Sequence, residues 1–279
     1  MATPEQRALQ RDIIAQLCVS ATFDAELEVQ RRSEFLANYL QSTGARSLVL
    51  GISGGVDSLV GGCLSQRAVE LCRSRGHDAV FIAMRLPYGE QRDEADAQLS
   101  LQVIQPDETL VVDVKPASDA ILAQSVSAGL MFKDAAQKDF VHGNIKARQR
   151  MIAQYTVAGA RQGLVVGTDH AAEALMGFFT KYGDGAADIT PLTGLNKRRV
   201  RALAQAMGAP AEQVHKVPTA DLESLEPLKP DELAMGVRYE DIDDFLEGKI
   251  VPDAAYEVIL STFHRTAHKR ALPAFPCFP

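Results

Sequence analysis

Four short apolar runs recur along the chain: SLVLGI from Ser47, AVFIAMRL from Ala79, TLVVDV from Thr109 and GLVVGT from Gly163. The stretches between them carry apolar residues at helical spacing, so the pattern reads as strands alternating with helices. That alternation predicts βαβ units, a parallel sheet and helices on both faces, which is an α/β, three-layer, Rossmann-like fold. Helices are expected from Ser58 to about Ser74, across EADAQLSLQVI, and from Asn144 to about Arg161. Two more precede the first strand, marked by Leu9, Ile13, Ile14 and Leu17 and then by Leu27, Phe35, Leu36, Tyr39 and Leu40. Beyond the last run, a helix is expected near Asn196 and a final one from Asp253 to about Lys269. No repeat or long linker divides the chain, so one domain over residues 1–279 is expected, with N-terminal helices over 1–45 and a nucleotide-binding core from residue 46. The Pro- and charge-rich stretch at about 216–231 is expected to be a mobile loop, a candidate lid.

The 279 residues carry a formal net charge of -7, and such an acidic balance argues against a nucleic acid backbone as main partner. Cys18, Cys63, Cys72 and Cys277 show none of the spacings that clamp zinc or an iron–sulfur cluster, and a reduced, cytoplasmic setting is the simplest expectation. The N-terminus lacks a continuous apolar core of the signal-peptide kind, and no window approaches the roughly 18 apolar residues of a membrane span, so neither secretion by that route nor a membrane partner is expected.

The first apolar run leads into SGGVDS, residues 53–58. A glycine-rich turn between a strand and a helix brings backbone N–H groups to the helix N-terminus, where the macrodipole also favours negative charge. Phosphate suits such a place. Gly54 and Gly55 permit close backbone approach, Ser53 and Ser58 add hydroxyls, and Asp57 can hold a divalent cation against the phosphates. The loop lacks the lysine of the P-loop and the spacing of the dinucleotide fingerprint. The plainer alternative is a flexible turn in which Ser or Asp caps the helix.

SGGVDS resembles the pyrophosphate-binding loop of the ATP-pyrophosphatase group, which activates substrates by adenylation. Further along stand RLPYGEQRDEADA (85–97), GNIKARQRMIAQY (143–155), VVGTDHAAEALMGFFTKYGDGAADITPL (165–192), LNKRRV and KVPTADL. With these the chain resembles the short, ammonia-dependent NAD synthetases of bacteria, from the N-terminal helices to HKR at 268–270. The resemblance implies a ligase that amidates deamido-NAD with ammonia, consuming ATP and releasing AMP and pyrophosphate. It implies ATP contacts at Gly51, Ile52, Ser53, Gly54, Gly55, Val56, Asp57, Ser58, Thr168, Lys197 and Thr219, and magnesium held by Asp57 and Glu173. It also implies deamido-NAD contacts at Arg148, Lys181, Asp188, His268 and Lys269, and a homodimer with that site built partly across the interface. Val56 and Leu59 depart from the glutamine and threonine common at those loop positions in the family.

Each of these residues also has a plainer role open to it. Glu173 suits an exposed first helical turn, Thr168 an N-cap, Lys197 a solvated surface, and His268 and Lys269 a helix C-terminus. His170 in TDHAAE reads as a helix-start residue, not as a base for Ser53, and adenylation needs no covalent nucleophile from the enzyme. Arg85 is expected on the ligand edge of the sheet. Glutamine-dependent relatives carry a fused amidase domain, whereas about 45 residues precede the first strand here, so ammonia is the expected donor. Two rival readings remain at this stage: a tRNA-modifying sulfurtransferase, which needs reactive cysteines, and a protein that senses ATP without turning it over.

Overall fold

The computed structural model describes residues 3–89, 94–220, 222–226 and 228–276. Two helices come first, α1 (Pro4–Gln16) and α2 (Ala25–Thr43). The core follows as β1 (Ser47–Gly51), α3 (Val56–Ser74), β2 (Val80–Arg85), α4 (Glu94–Ile104), β3 (Glu108–Val111), α5 (Lys115–Ser127), α6 (Ala135–Ala160) and β4 (Gly163–Val165). Then come α7 (Ala171–Met176), α8 (Lys197–Ala206), α9 (Ala211–Val214), β5 (Thr219–Ala220) and β6 (Lys229–Pro230). The chain ends in α10 (Asp231–Met235), α11 (Tyr239–Leu246), α12 (Asp253–Arg265) and a 3-10 turn at Ala267–Lys269.

The main sheet is parallel, in the order β3-β2-β1-β4. Alternate side chains of β1 and β2 enter different layers, as the pleat requires. Leu48, Leu50, Phe81 and Ala83 pack with α2, α3 and α8, whereas Val49, Ile82 and Met84 pack with Val165 of β4, Ala158 of α6 and Val114. Both faces are therefore covered, which is why the strands read as unbroken apolar runs. A third cluster joins the two ends of the chain: Ile13 and Leu17 lie with Ile242, Phe245, Ile259 and Phe263. Gln10 secures it by donating from Nε2 to the carbonyls of Phe245 and Lys249, at 2.8 and 2.9 Å.

The order of strands positions the site. The chain steps outward from β1 to β3, then returns through α5 and α6 to the opposite side of β1, so the crossovers diverge at β1 and β4. A crevice opens beyond the C-terminal ends of those two strands, where open α/β sheets hold their ligands.

The expected strands and the three-layer class hold, with three corrections. The helix expected from Asn144 starts at Ala135, capped by the Asp134 side chain, which accepts from the Gln137 amide. Gly143 and Asn144 resemble a helix boundary in sequence, but the helix runs through them: Asn144 donates to the Phe140 carbonyl within the helix and accepts from the distant Thr180 hydroxyl. Helix α5 is an addition to the expected elements: its apolar residues Ile121 and Val126 face outward and blur the periodicity. GLVVGT is a strand only over Gly163–Val165, with Val166 making an isolated bridge to Ile189. Within the 216–231 stretch, Thr219–Ala220 pairs antiparallel with Lys229–Pro230; Asp221 and Pro227 lie outside the described residues. Among the described residues no helix is long and apolar enough to cross a membrane.

The layer between α2 and the sheet carries much of the stability. Leu64 of α3 is fully buried in it, so Leu64→Ala should lower the unfolding free energy by about 2–5 kcal/mol through lost transfer energy and the cavity left behind. Urea titration should show an earlier midpoint with an unchanged slope.

Candidate active site

A cavity of about 450 Å³ occupies the crevice. Its floor is the turn from β1 to α3. Gly55 is the N-cap of α3 and makes no side-chain cap, so the first-turn amides stay available to a ligand. The serines organise the turn: Ser58 Oγ donates to the Gly55 carbonyl and accepts from the Ser53 amide, at 3.0 and 3.2 Å. Gly54 sits at φ +85, and a Cβ there would lie 2.8 Å from the Ala97 amide nitrogen, so both conformation and space demand glycine. Val56 and Leu59 are buried in the core, which makes their departure from the family pattern a matter of packing.

Three helix N-termini converge above this floor. Asp57 stands in the first turn of α3, Glu173 in that of α7 and Lys197 at the start of α8. Lys197 is 1% exposed, and its Nζ lies 2.7 Å from Asp57 Oδ2. A solvated surface lysine is therefore excluded. His170, 1% exposed, places Nε2 3.4 Å from Asp57 Oδ1 and 3.5 Å from Glu173 Oε2. Ligand atoms of Asp57, His170 and Glu173 all fall within 4.8 Å of one another.

The electrostatics divide the two carboxyls. Burial opposes the charge of Asp57, but the Lys197 ammonium and His170 outweigh it and hold the carboxyl well below its usual range. Burial pushes Glu173 up to about 8, with His170 and Lys197 opposing and the Asp57 charge reinforcing the rise. Asp169 is likewise pushed up to about 8, by burial and by the charges of Asp184 and Asp57. Burial disfavours the Lys197 ammonium, yet Asp57 and Glu173 draw its pKa above the ordinary value.

Local structure explains how a lysine comes to begin a helix. The Asn196 side chain caps α8 by accepting from the Arg199 amide, and buried Asp243 accepts from the amides of Lys197 and Arg198 at 3.0 and 2.8 Å. The helix end is thus held by α11. Glu173 is fixed by a reciprocal capping box with His170, so His170, not Thr168, is the N-cap of α7. His170 does start the helix, as expected, but it also touches both acids, which the sequence reading did not assign.

Thr168, Thr219 and Lys269 join Asp57, Glu173, Lys197 and the loop residues in lining the cavity. Lys269 reaches it from the 3-10 turn, donating to the carbonyls of Gly177 and Phe179 at 2.9 and 2.7 Å. It therefore serves a neighbouring segment, not its own helix end. Arg148, Lys181 and His268 form a separate string outside the cavity lining: Arg148 donates to the Lys181 carbonyl, and Lys181 to the His268 carbonyl. Asp188 also lies outside the lining, where it accepts from the Val165 amide at 2.8 Å and from the Tyr155 hydroxyl. Arg85 lines the cavity, but its guanidinium donates to the Ile52 carbonyl and to Glu94, so it braces the loop. Sequence reasoning missed Phe140, Asn144 and Ala147 of α6, which form one wall: Phe140 precedes the expected start of the helix, and for Asn144 and Ala147 the helical pattern does not say which face meets the cavity.

A parallel α/β sheet with an uncapped glycine turn at its switch point, and a lysine-paired aspartate in the helix that follows, marks the class of α/β proteins that hold a nucleotide's phosphates at the strand ends. The sequence model of the NAD synthase family matches residues 28–273, and the chain belongs to that family. It is 62% identical to an NH(3)-dependent NAD(+) synthetase of Streptomyces coelicolor over 99% of this chain and 100% of that one. The solved NAD+ synthetase of Burkholderia pseudomallei is 59% identical and superposes with a TM-score of 0.85, covering 98% of this chain and 100% of that one. An NMN synthetase from Francisella tularensis is 34% identical, with a TM-score of 0.80, covering 92% of this chain and all of the other.

The cysteines bear on the sulfurtransferase alternative. Burial pushes the Cys63 thiol up to about 11 and raises that of Cys72. A raised thiol pKa keeps the inert thiol form below that pH, so iodoacetamide at pH 8 should leave Cys63 unmodified while alkylating exposed Cys18, as read by peptide mass spectrometry.

Proposed function

We infer that the chain is an ammonia-dependent NAD(+) synthase, a ligase that converts deamido-NAD, ATP and ammonia to NAD, AMP and pyrophosphate. It carries out the final step of NAD biosynthesis. The observation that carries the reading is the uncapped start of α3 beside the Lys197–Asp57 pair, in one cavity.

A carboxylate does not yield to ammonia at neutral pH, because oxide is a poor leaving group. A nicotinate oxygen therefore attacks the α-phosphorus of ATP, the bridging bond to the β-phosphate breaks, and its electron pair leaves with pyrophosphate. In our reading the amides of Gly54, Gly55, Val56, Asp57 and Ser58, with Ser53 and the strand end at Gly51 and Ile52, hold the departing phosphates. Lys197 balances the charge that develops there, and Thr168 and Thr219 orient the nucleotide. Ammonia then adds to the acyl carbon, a proton is lost, and the bond to AMP breaks.

The donor set suits a hard cation. Asp57 Oδ1 is buried without a well-aligned hydrogen bond, Glu173 faces it, and two carboxyls suit magnesium better than an imidazole does. Asp57 and Glu173 would hold the ion, which supplies charge stabilisation to the phosphates when bound. Lys269 lines the same cavity, and Arg148, Lys181, Asp188 and His268 are assigned to deamido-NAD at its margin. Phe140 and Ile152 of α6 and Ile121 and Val126 of α5 are exposed, which supports a homodimer joined along these helices. The cysteine pattern supports a cytoplasmic setting.

The decisive assay supplies ATP, deamido-NAD, ammonia and magnesium and follows three products. AMP, pyrophosphate and NAD should appear in equal amounts, and Asp57→Asn should lower kcat roughly 10²-fold. Chelation with EDTA should abolish turnover. Release of ADP, or full activity in the variant, would overturn the assignment; binding of ATP without product would favour a sensor.

A further inference from the structure

Away from the cavity, α6 buries two opposite charges that the mechanism does not use. Asp139 is 8% exposed and Lys146 is 3% exposed, and both are engaged by the stretch at residues 222–225. The Asp139 carboxylate accepts from the consecutive amides of Ser224 and Leu225, at 2.9 and 2.8 Å. Lys146 Nζ donates to the Leu222 carbonyl at 2.8 Å and to the Ser224 hydroxyl at 2.9 Å, and lies 4.2 Å from the centre of the Tyr88 ring. Between them on the same helical face, Gly143 presents bare backbone to Leu222: a Cβ there would lie 3.2 Å from the Leu222 Cβ and carbonyl oxygen. Asp139, Gly143 and Lys146 stand at i, i+4 and i+7, so one stripe of α6 forms a fitted seat. Leu222 and Glu223, held on that seat, line the cavity.

We propose that Asp139 and Lys146 are positioning residues that latch residues 222–225 over the cavity and so shield the adenylated substrate from water. This rests on the adenylation reading. The chemistry at stake is a leak. Water adds to the acyl carbon, the bond to AMP breaks with its electron pair going to AMP, a proton passes to solvent, and deamido-NAD is regenerated without NAD being made. Charge-assisted hydrogen bonds to main chain are strong enough to hold a surface segment down, and losing them opens it.

The test compares AMP released per NAD formed in the wild type, Asp139→Asn, Lys146→Met and Gly143→Ala, alongside amide hydrogen exchange at Ser224 and Leu225 without substrate. The wild-type ratio should be near one. In the charge variants it should rise above one, most at low ammonia, with exchange faster by roughly ten-fold or more. Gly143→Ala separates the latch from simple destabilisation, because alanine favours the helix while crowding the seat: the ratio should rise without a fall in melting temperature. A ratio of one in all three variants, with unchanged exchange, would overturn the proposal. If the wild type released no AMP, the adenylation reading would fall, and the exchange rates alone would decide whether the latch exists.

Discussion

A buried ion pair between Lys197 and Asp57 holds the site together, and it is the interaction on which the rest of the arrangement depends. Removing two charges from water is costly, and their attraction offsets that cost only when the geometry is good and other hydrogen bonds complete both groups. The first condition is met here at a distance of 2.7 Å, with the Tyr239 ring beside Lys197; the second is met only in part, because Asp57 Oδ1, with His170 beside it, has no well-aligned hydrogen bond. The pair also works against a local rule. A cation in the first turn of a helix opposes the macrodipole, and α8 starts with Lys197. Asp243 and Asn196 offset that by taking the first-turn amides, so α11 anchors the residue that neutralises the cavity.

Much of this fold is legible because the sheet is parallel and covered on both sides. Leu48 through Leu50 and Phe81 through Met84 are all buried, and continuous burial writes a continuous apolar run. The loop was legible for a related reason: glycine is required at position 54 by both φ and contact, so its presence in SGGVDS has one structural explanation. What periodicity could not supply is information held in long-range contacts. The start of α6 is obscured because Gly143 and Asn144 answer to Leu222 and Thr180, far away in sequence, and not to their own helix. Outward-facing Ile121 and Val126 hide α5 in the same way.

The site was legible in its chemistry and not in its connections. Asp57, Glu173 and Lys197 fall on three separate helices, and nothing in their spacing says that they meet; the sheet order alone brings β1 and β4 side by side and their following helices with them. His170 shows how a bland reading and a functional one coincide. Its ring caps α7 through Nδ1, which is all a helix start requires, and the same geometry leaves Nε2 turned toward both acids. The Arg148, Lys181 and His268 string, by contrast, is spread over three segments and bound through backbone carbonyls, so its members gather outside the cavity.

Charge accounting explains why the cavity is built this way. Helices α2, α6 and α8 fill their first-turn amides with Asp24, Asp134 and Asn196, while α3 does not. Its serines bond one another, the Gly55 carbonyl and the amides of Ser53 and Gly55 instead, which leaves the first-turn amides of α3 itself for a ligand that must bring negative charge. Yet the Asp57 charge would repel that ligand, and burial, reinforced by Asp57, raises the Glu173 pKa and so disfavours a second negative charge beside it. Lys197 is paired with Asp57 and cannot by itself also neutralise a whole phosphate chain. The arrangement becomes electrically balanced only when a further cation enters with the nucleotide, so metal and ATP are expected to bind as a unit.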